Sequence, residues 1–96
     1  MLDKSAARAI AYTEMNKHFI SPGDELVVLD EHTIEKSYGW IFFTHSKLFV
    51  ETGDPAYMVG GNSPIVVLFD GTHHCLGTHK PIELLIRDFE ERKSLA

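Results

Sequence analysis

The chain has almost nothing to build covalent cross-links from: of its 96 residues only Cys75 is a cysteine, and it cannot close an internal disulfide. Disulfide-stapled scaffolds are excluded, and a reducing compartment is the expected setting. Long apolar runs are missing as well. The longest, Ile65–Phe69 and Trp40–Phe43, are strand-sized and far short of the roughly 20 residues that cross a membrane. The start MLDKSAARAI carries charges at Asp3, Lys4 and Arg8 and holds no uninterrupted apolar core of a secretion signal. A soluble, cytoplasmic protein with no membrane partner is expected. Basic residues are in deficit, nine Lys and Arg against 14 Asp and Glu for a net charge of -5. That balance speaks against a nucleic-acid partner, whose footprint is a basic face. At 10.8 kDa there is room for one core-building unit, so a single domain spanning 1–96 is expected.

What is present is apolar content of 44%, ten aromatic residues and an uneven placement of charge. From His18 to His79 eight acids (Asp24, Glu25, Asp30, Glu31, Glu35, Glu51, Asp54, Asp70) stand against two bases, Lys36 and Lys47. The two ends together hold six acids and seven bases, so the whole negative excess belongs to the middle.

The pattern predicts an α+β fold in which an N-terminal and a C-terminal helix flank about four antiparallel strands in meander order. The first helix is expected over Ser5–Phe19, with Ser5 as N-cap and a narrow stripe of Ala6, Ala7, Ile10, Ala11 and Met15 that allows close approach to a sheet. Ser21-Pro22-Gly23 ends it. Strands are expected at Glu25–Leu29, with Asp30–Ser37 extending or bulging from it, at Trp40–Ser46, at Ile65–Phe69 and near His73–Leu76. Asp70-Gly71 is a hairpin signal. The closing helix shows Ile82, Leu85, Ile86 and Phe89 at i, i+3, i+4 and i+7, with Pro81 at its first position. Between strands two and three, Lys47–Pro64 is a long connection in which Asp54 caps a short turn from Pro55 and Gly60-Gly61-Asn62 ends it. The strands are apolar at successive positions, so both sheet faces demand cover. With both helices on one face, the other falls to the middle segment, a partner, or a second copy in a homodimer.

No catalytic set emerges. His73, His74 and Cys75 with His79 hold metal-ligand residue types, yet on a strand His74 points away from the other two. Neither a metal nor another cofactor is expected. Cys75 reads as a small buried thiol with no orienting base. No Ser sits in an elbow motif and no Gly-rich loop ends in Lys-Ser or Lys-Thr. Trp40 reads as core and Tyr38 as an exposed turn residue.

Taken in order, Gly39-Trp40 opening an aromatic strand, Glu51-Thr-Gly-Asp54, Gly61-Asn62-x-Pro64 before an Ile/Val strand, and Leu76-Gly77-Thr-x-Lys-Pro81 before the last helix resemble the YrhB-like family, also called the immunity protein 35 family. The resemblance runs from about Ala6 to Glu90. It implies a small cytoplasmic bacterial protein, not an enzyme, of the kind encoded beside secreted polymorphic toxins; one branch is chaperone-like. Gly39, Trp40, Gly61, Asn62, Pro64, Gly77 and Pro81 read as determinants of fold. The expected function is therefore that of an immunity protein binding a cognate toxin with a basic surface. Asp30, Glu31, Glu35, Glu51 and Asp54 are the expected charge contacts and Phe49 and Tyr57 the apolar anchors. The alternative is a chaperone-like protein holding apolar segments of other proteins against an open sheet.

Overall fold

The computed structural model describes residues 2–17, 19–57 and 63–95. The first helix, α1, spans Lys4–Asn16. Its N-cap is Asp3, whose Oδ1 accepts the Ala6 N–H at 2.8 Å, and Ser5 lies inside the first turn. Both side chains can cap, but only the carboxylate also answers the positive end of the helix dipole.

Six short strands follow among the described residues: β1 (Leu26–Val28), β2 (Ile34–Lys36), β3 (Gly39–Phe42), β4 (Thr44–Ser46), β5 (Ile65–Leu68) and β6 (His73–Cys75). The order β2-β3-β5-β6 forms an antiparallel four-stranded meander, and β1 pairs with β4 in a separate two-stranded ladder. The two sheets share one long, bent hairpin. Between the pairs Val28↔Thr44 and Ile34↔Ile41 the first arm spends five residues where the second spends two. The excess is taken up by a 3₁₀ turn at Asp30–His32, the bulge expected of the polar stretch after the first strand. The expected strand Trp40–Ser46 is correspondingly broken at Phe43, whose carbonyl still accepts the Leu29 N–H at 2.8 Å.

Two glycines show why side chains are excluded locally. A Cβ on Gly39 would stand 2.1 Å from the Val67 carbonyl oxygen on the neighbouring strand. Gly71, at φ 91, closes the three-residue loop after Leu68 by the left-handed position such loops require, its N–H donating to Leu68 O at 3.0 Å.

A second helix, α2 (Lys47–Thr52), leads to a 3₁₀ turn at Pro55–Tyr57, and α3 spans Ile82–Arg92. Pro81 sits one position earlier than expected, as the N-cap residue, and its carbonyl accepts the Leu84 and Leu85 N–H groups. The C-terminus of α3 closes with Ser94 in the left-handed region at φ 57, Ser94 N–H on Glu91 O and Leu95 N–H on Glu90 O. This is a Schellman-type cap, and Leu95 supplies its hydrophobic contact by packing on the α3 core.

The helices do not share a face. Ala7 and Ala11 of α1 bury against Val28, Trp40, Phe42, Ile65 and Val67, whereas Leu85, Ile86 and Phe89 of α3 bury against Ile41, Val66 and Leu76. Alternate residues of β3 and β5 therefore feed opposite cores, which is why the strands are apolar at every position. The expected uncovered face of the four-stranded sheet does not exist. Small alanines let α1 approach β1, β3 and β5 closely.

Two further expectations are corrected. Tyr38 is half-buried, not exposed: its ring lies 6.3 Å from Phe89 and its hydroxyl donates to Glu90 at 2.7 Å. Burial first, and then that carboxylate, raise the phenol above its ordinary value. Cys75 is exposed, not buried, because β6 is an edge strand and the pair Ile65↔Cys75 places the thiol at the rim of the face that α1 covers.

Candidate functional site

The site is built outward from Asp24. Ser46 ends β4 and caps α2 through its hydroxyl, which accepts the Phe49 N–H at 3.2 Å. Asp24 accepts the Ser46 hydroxyl and the Leu48 N–H. Partial burial opposes charge on Asp24, but these bonds and that from Glu25 N–H outweigh it and hold the carboxyl below the usual range. One carboxylate thus fixes where α2 leaves the sheet.

From this base α2 and the turn behind it form a self-contained arm. No residue of either is buried. Gly53, at φ 69, caps α2 and donates to Phe49 O at 2.7 Å. Thr52 Oγ1 donates to Leu48 O and accepts the Asp54 N–H, and Asp54 Oδ1 accepts the Ala56 N–H at 2.9 Å. Asp54 caps the turn that starts at Pro55, as its position predicted. The arm carries Val50 at 53% exposure and Tyr57 at 40%. Phe49 is half-buried with its ring 4.6 Å from His45 of β4.

The ladder beneath the arm has one finished face and one open one. Leu26, Val28, Thr44 and Ser46 are buried; Val27 and His45, which pair across the ladder and point the other way, are half-buried. Beside the arm's base a shallow groove of about 270 Å³ is lined by Gly23, Asp24, Glu25 and Lys47. Glu25 accepts the Tyr12 hydroxyl, a bond that raises the Tyr12 phenol above its usual value, and lies 3.7 Å from Lys47.

The sequence-derived residues divide between the two ends of this ladder. Glu51, Asp54, Phe49 and Tyr57 come together on the arm. Asp30, Glu31 and Glu35 lie past the other end, beyond the Leu29–Phe43 bond, about 10 Å of strand away. Two of those three are spent internally. Asp30 takes both Arg8 nitrogens, Nε at 2.6 Å and Nη2 at 3.0 Å, which holds its carboxyl below the usual value, and Glu35 lies 3.4 Å from Lys4. Among the described residues Glu31, Glu51 and Asp54 have no ion-pair partner.

The structural motif residues are placed as follows where described. Trp40 is buried and meets Phe69 edge-on at 5.0 Å. Pro64 is buried and its carbonyl accepts the Leu76 N–H. Gly77, at φ 93, donates to Ser63 Oγ at 2.7 Å as the chain leaves β6. Gly61 and Asn62, and the turn expected at Gly60-Gly61-Asn62, lie outside the described residues.

Val50 and the Glu25–Lys47 groove were not legible as site features. The signal available was Ser46 seven residues before Gly53, an N-cap and C-cap pair that frames a six-residue helix and so sets Val50 outward. Among the described residues there is no group of three or more His, Cys, Asp or Glu that could hold a metal, and no helix long and apolar enough to cross a membrane.

Comparison with known proteins agrees with the ordered motifs. The chain is 38% identical over 85 residues to "Uncharacterized protein YrhB" of Escherichia coli (strain K12), covering 88% of each chain. No solved structure matches it. The family model described as immunity protein 35 matches residues 5–89. With the motifs, the fold and this match in place, the chain belongs to the immunity protein 35 family.

Proposed function

We propose that this protein is an immunity protein that binds a cognate secreted bacterial toxin domain and neutralises it through an acidic, aromatic-bearing surface, acting by occupancy and not by catalysis. Family membership supplies the class of function. The observation that carries the mechanism is that Glu31, Glu51 and Asp54 are exposed carboxylates with no ion-pair partner among the described residues. Unpaired surface charge of one sign steers association with a surface of the opposite sign and rejects others. An inhibitor that must find its toxin inside its own cell gains from both effects. Asp30, Glu31, Glu35, Glu51 and Asp54 are the proposed charge contacts and Phe49 and Tyr57 the anchors, facing a basic toxin surface. A chaperone-like action would need a broad open sheet face, and both faces of the four-stranded sheet carry a helix.

The proposal expects a toxin gene beside this chain's gene, and the test uses the toxin domain that gene encodes. Adding the purified protein should abolish that domain's activity at a stoichiometric ratio, with an association rate that falls as salt rises. Full toxin activity in the presence of a tenfold excess would contradict the proposal.

A further inference from the structure

We infer that the docking surface is the arm and the open face of the ladder beneath it, Val27, His45, Phe49, Val50 and Tyr57 rimmed by Glu51 and Asp54, and that its occupant is a basic, apolar-centred surface of the toxin domain. The inference rests on the proposed function and narrows it to one end of the molecule.

Three observations converge on that end. The first is unspent apolar surface. The four-stranded sheet buries both its faces, yet no residue of α2 or of the turn after it is fully buried, and Val50 and Tyr57 are open to solvent. On the ladder's other side Val27 and His45 stay half-buried, and the Phe49 ring packs on His45. Apolar groups grouped around a ring and bordered by charge are the composition of an interface centre and rim.

The second is order without burial. The arm is tied by the Gly53 cap, the Thr52 bridge, the Asp54 cap and Asp24 at its root. These bonds hold exposed side chains in a fixed arrangement, so a partner does not have to order them on binding. A loop that only connected β4 to β5 would have no need of them.

The third is charge. Among the described residues Glu51 and Asp54 pair with no base, and the arm's one base, Lys47, is matched by Glu25 at its root. Lys47, four residues before Glu51 on the same side of α2, pairs with Glu25 instead. At the other end of the ladder Arg8 and Lys4 already answer Asp30 and Glu35. Of the candidate-site acids without an ion-pair partner among the described residues, Glu51 and Asp54 stand where the apolar surface is and Glu31 does not.

The experiment compares three double variants for binding to the toxin domain encoded beside this gene, with far-UV circular dichroism confirming the fold of each. Val50→Ser with Tyr57→Ser should weaken binding at least tenfold, mainly through faster dissociation. Glu51→Gln with Asp54→Asn, where Asn keeps the turn's cap, should slow association several-fold and flatten its salt dependence. Glu31→Gln with Glu35→Gln, at the other end of the ladder, should weaken binding by less than either arm variant. If both arm variants bind like wild type while the Glu31/Glu35 variant is weakened, the docking surface lies at the other end and the inference is overturned. If the wild-type chain itself leaves the toxin domain unbound, it is the proposed function that fails.

Discussion

Phe89→Ala tests the packing of the second sheet face most severely. Phe89 is 1% exposed, and its ring lies 6.3 Å from that of Tyr38 and 5.4 Å from that of His74. Removing a buried aromatic ring loses its transfer free energy and leaves a cavity, together about 3–5 kcal/mol. Unfolding entropy near 2.1 cal/mol/K per residue gives a chain of this length about 0.2 kcal/mol per degree. The melting midpoint should therefore fall by about 15–25 °C. Leu84→Ala, five residues earlier on the same helix at 36% exposure, should cost under about 1 kcal/mol. Thermal unfolding followed by circular dichroism, with urea unfolding as a second measure, reads both. A lowered urea midpoint with unchanged slope would assign the loss to the native state. If the two variants moved the midpoint by the same few degrees, α3 would not be covering the sheet with its Phe89 face, and the three-layer arrangement would be wrong.

Other sites give independent tests. The Asn16 side-chain amide pairs with both backbone groups of Leu26, donating to its carbonyl at 2.9 Å and accepting its N–H at 2.8 Å, so it stands in for a neighbouring strand. Asn16→Leu should lower the urea-derived stability by about 1–3 kcal/mol, and an unchanged midpoint would show that water replaces the amide freely. Ser94→Gly relieves a side chain held at φ 57 and should raise stability by about 0.5–1 kcal/mol; a fall would contradict the cap geometry. His74 is half-buried beside Phe89, and burial first, then the charges of Lys93, His73 and Arg92, lower its pKa from 6.5 against the opposing pull of Asp70. Because the unfolded chain takes up this proton more readily than the folded one, stability is full above about pH 6.5 and declines as pH falls toward the lowered value. Stability measured across that window should lose this slope in His74→Phe, and an identical slope would assign it to another group.

The fold was legible in sequence wherever large side chains kept a period. Ile82, Leu85, Ile86 and Phe89 marked α3 because each is bulky and the spacing admits one face. The small stripe of α1 marked a close contact, but Asp3 and Ser5 are both competent caps, and sequence alone does not weigh the dipole against the hydroxyl. The continuous apolar run through Trp40–Phe43 announced burial on both faces and concealed the break at Phe43, since a run without alternation carries no register. Periodicity says that a helix buries a stripe; it does not say against which face. Cys75 was misplaced for a related reason. Its exposure follows from β6 being an edge, a property of strand order that no local residue encodes.

The acids of the candidate site were visible as a charge excess in the middle of the chain. Their division was not, because it depends on Arg8 and Lys4 of α1 folding back onto Asp30 and Glu35 across more than 20 residues of sequence. Asp54 could be placed as a cap from its neighbours Pro55 and Gly53. Val50 could not be placed as exposed until α2 was known to be a helix lying off the core.

Survival of cells is the most direct measurement of the central claim. Cells induced to express the toxin domain encoded beside this gene should form colonies at near-uninduced numbers when this chain is co-expressed and should lose viability with an empty vector. Equal killing with and without the chain, at confirmed expression of both proteins, would contradict the account.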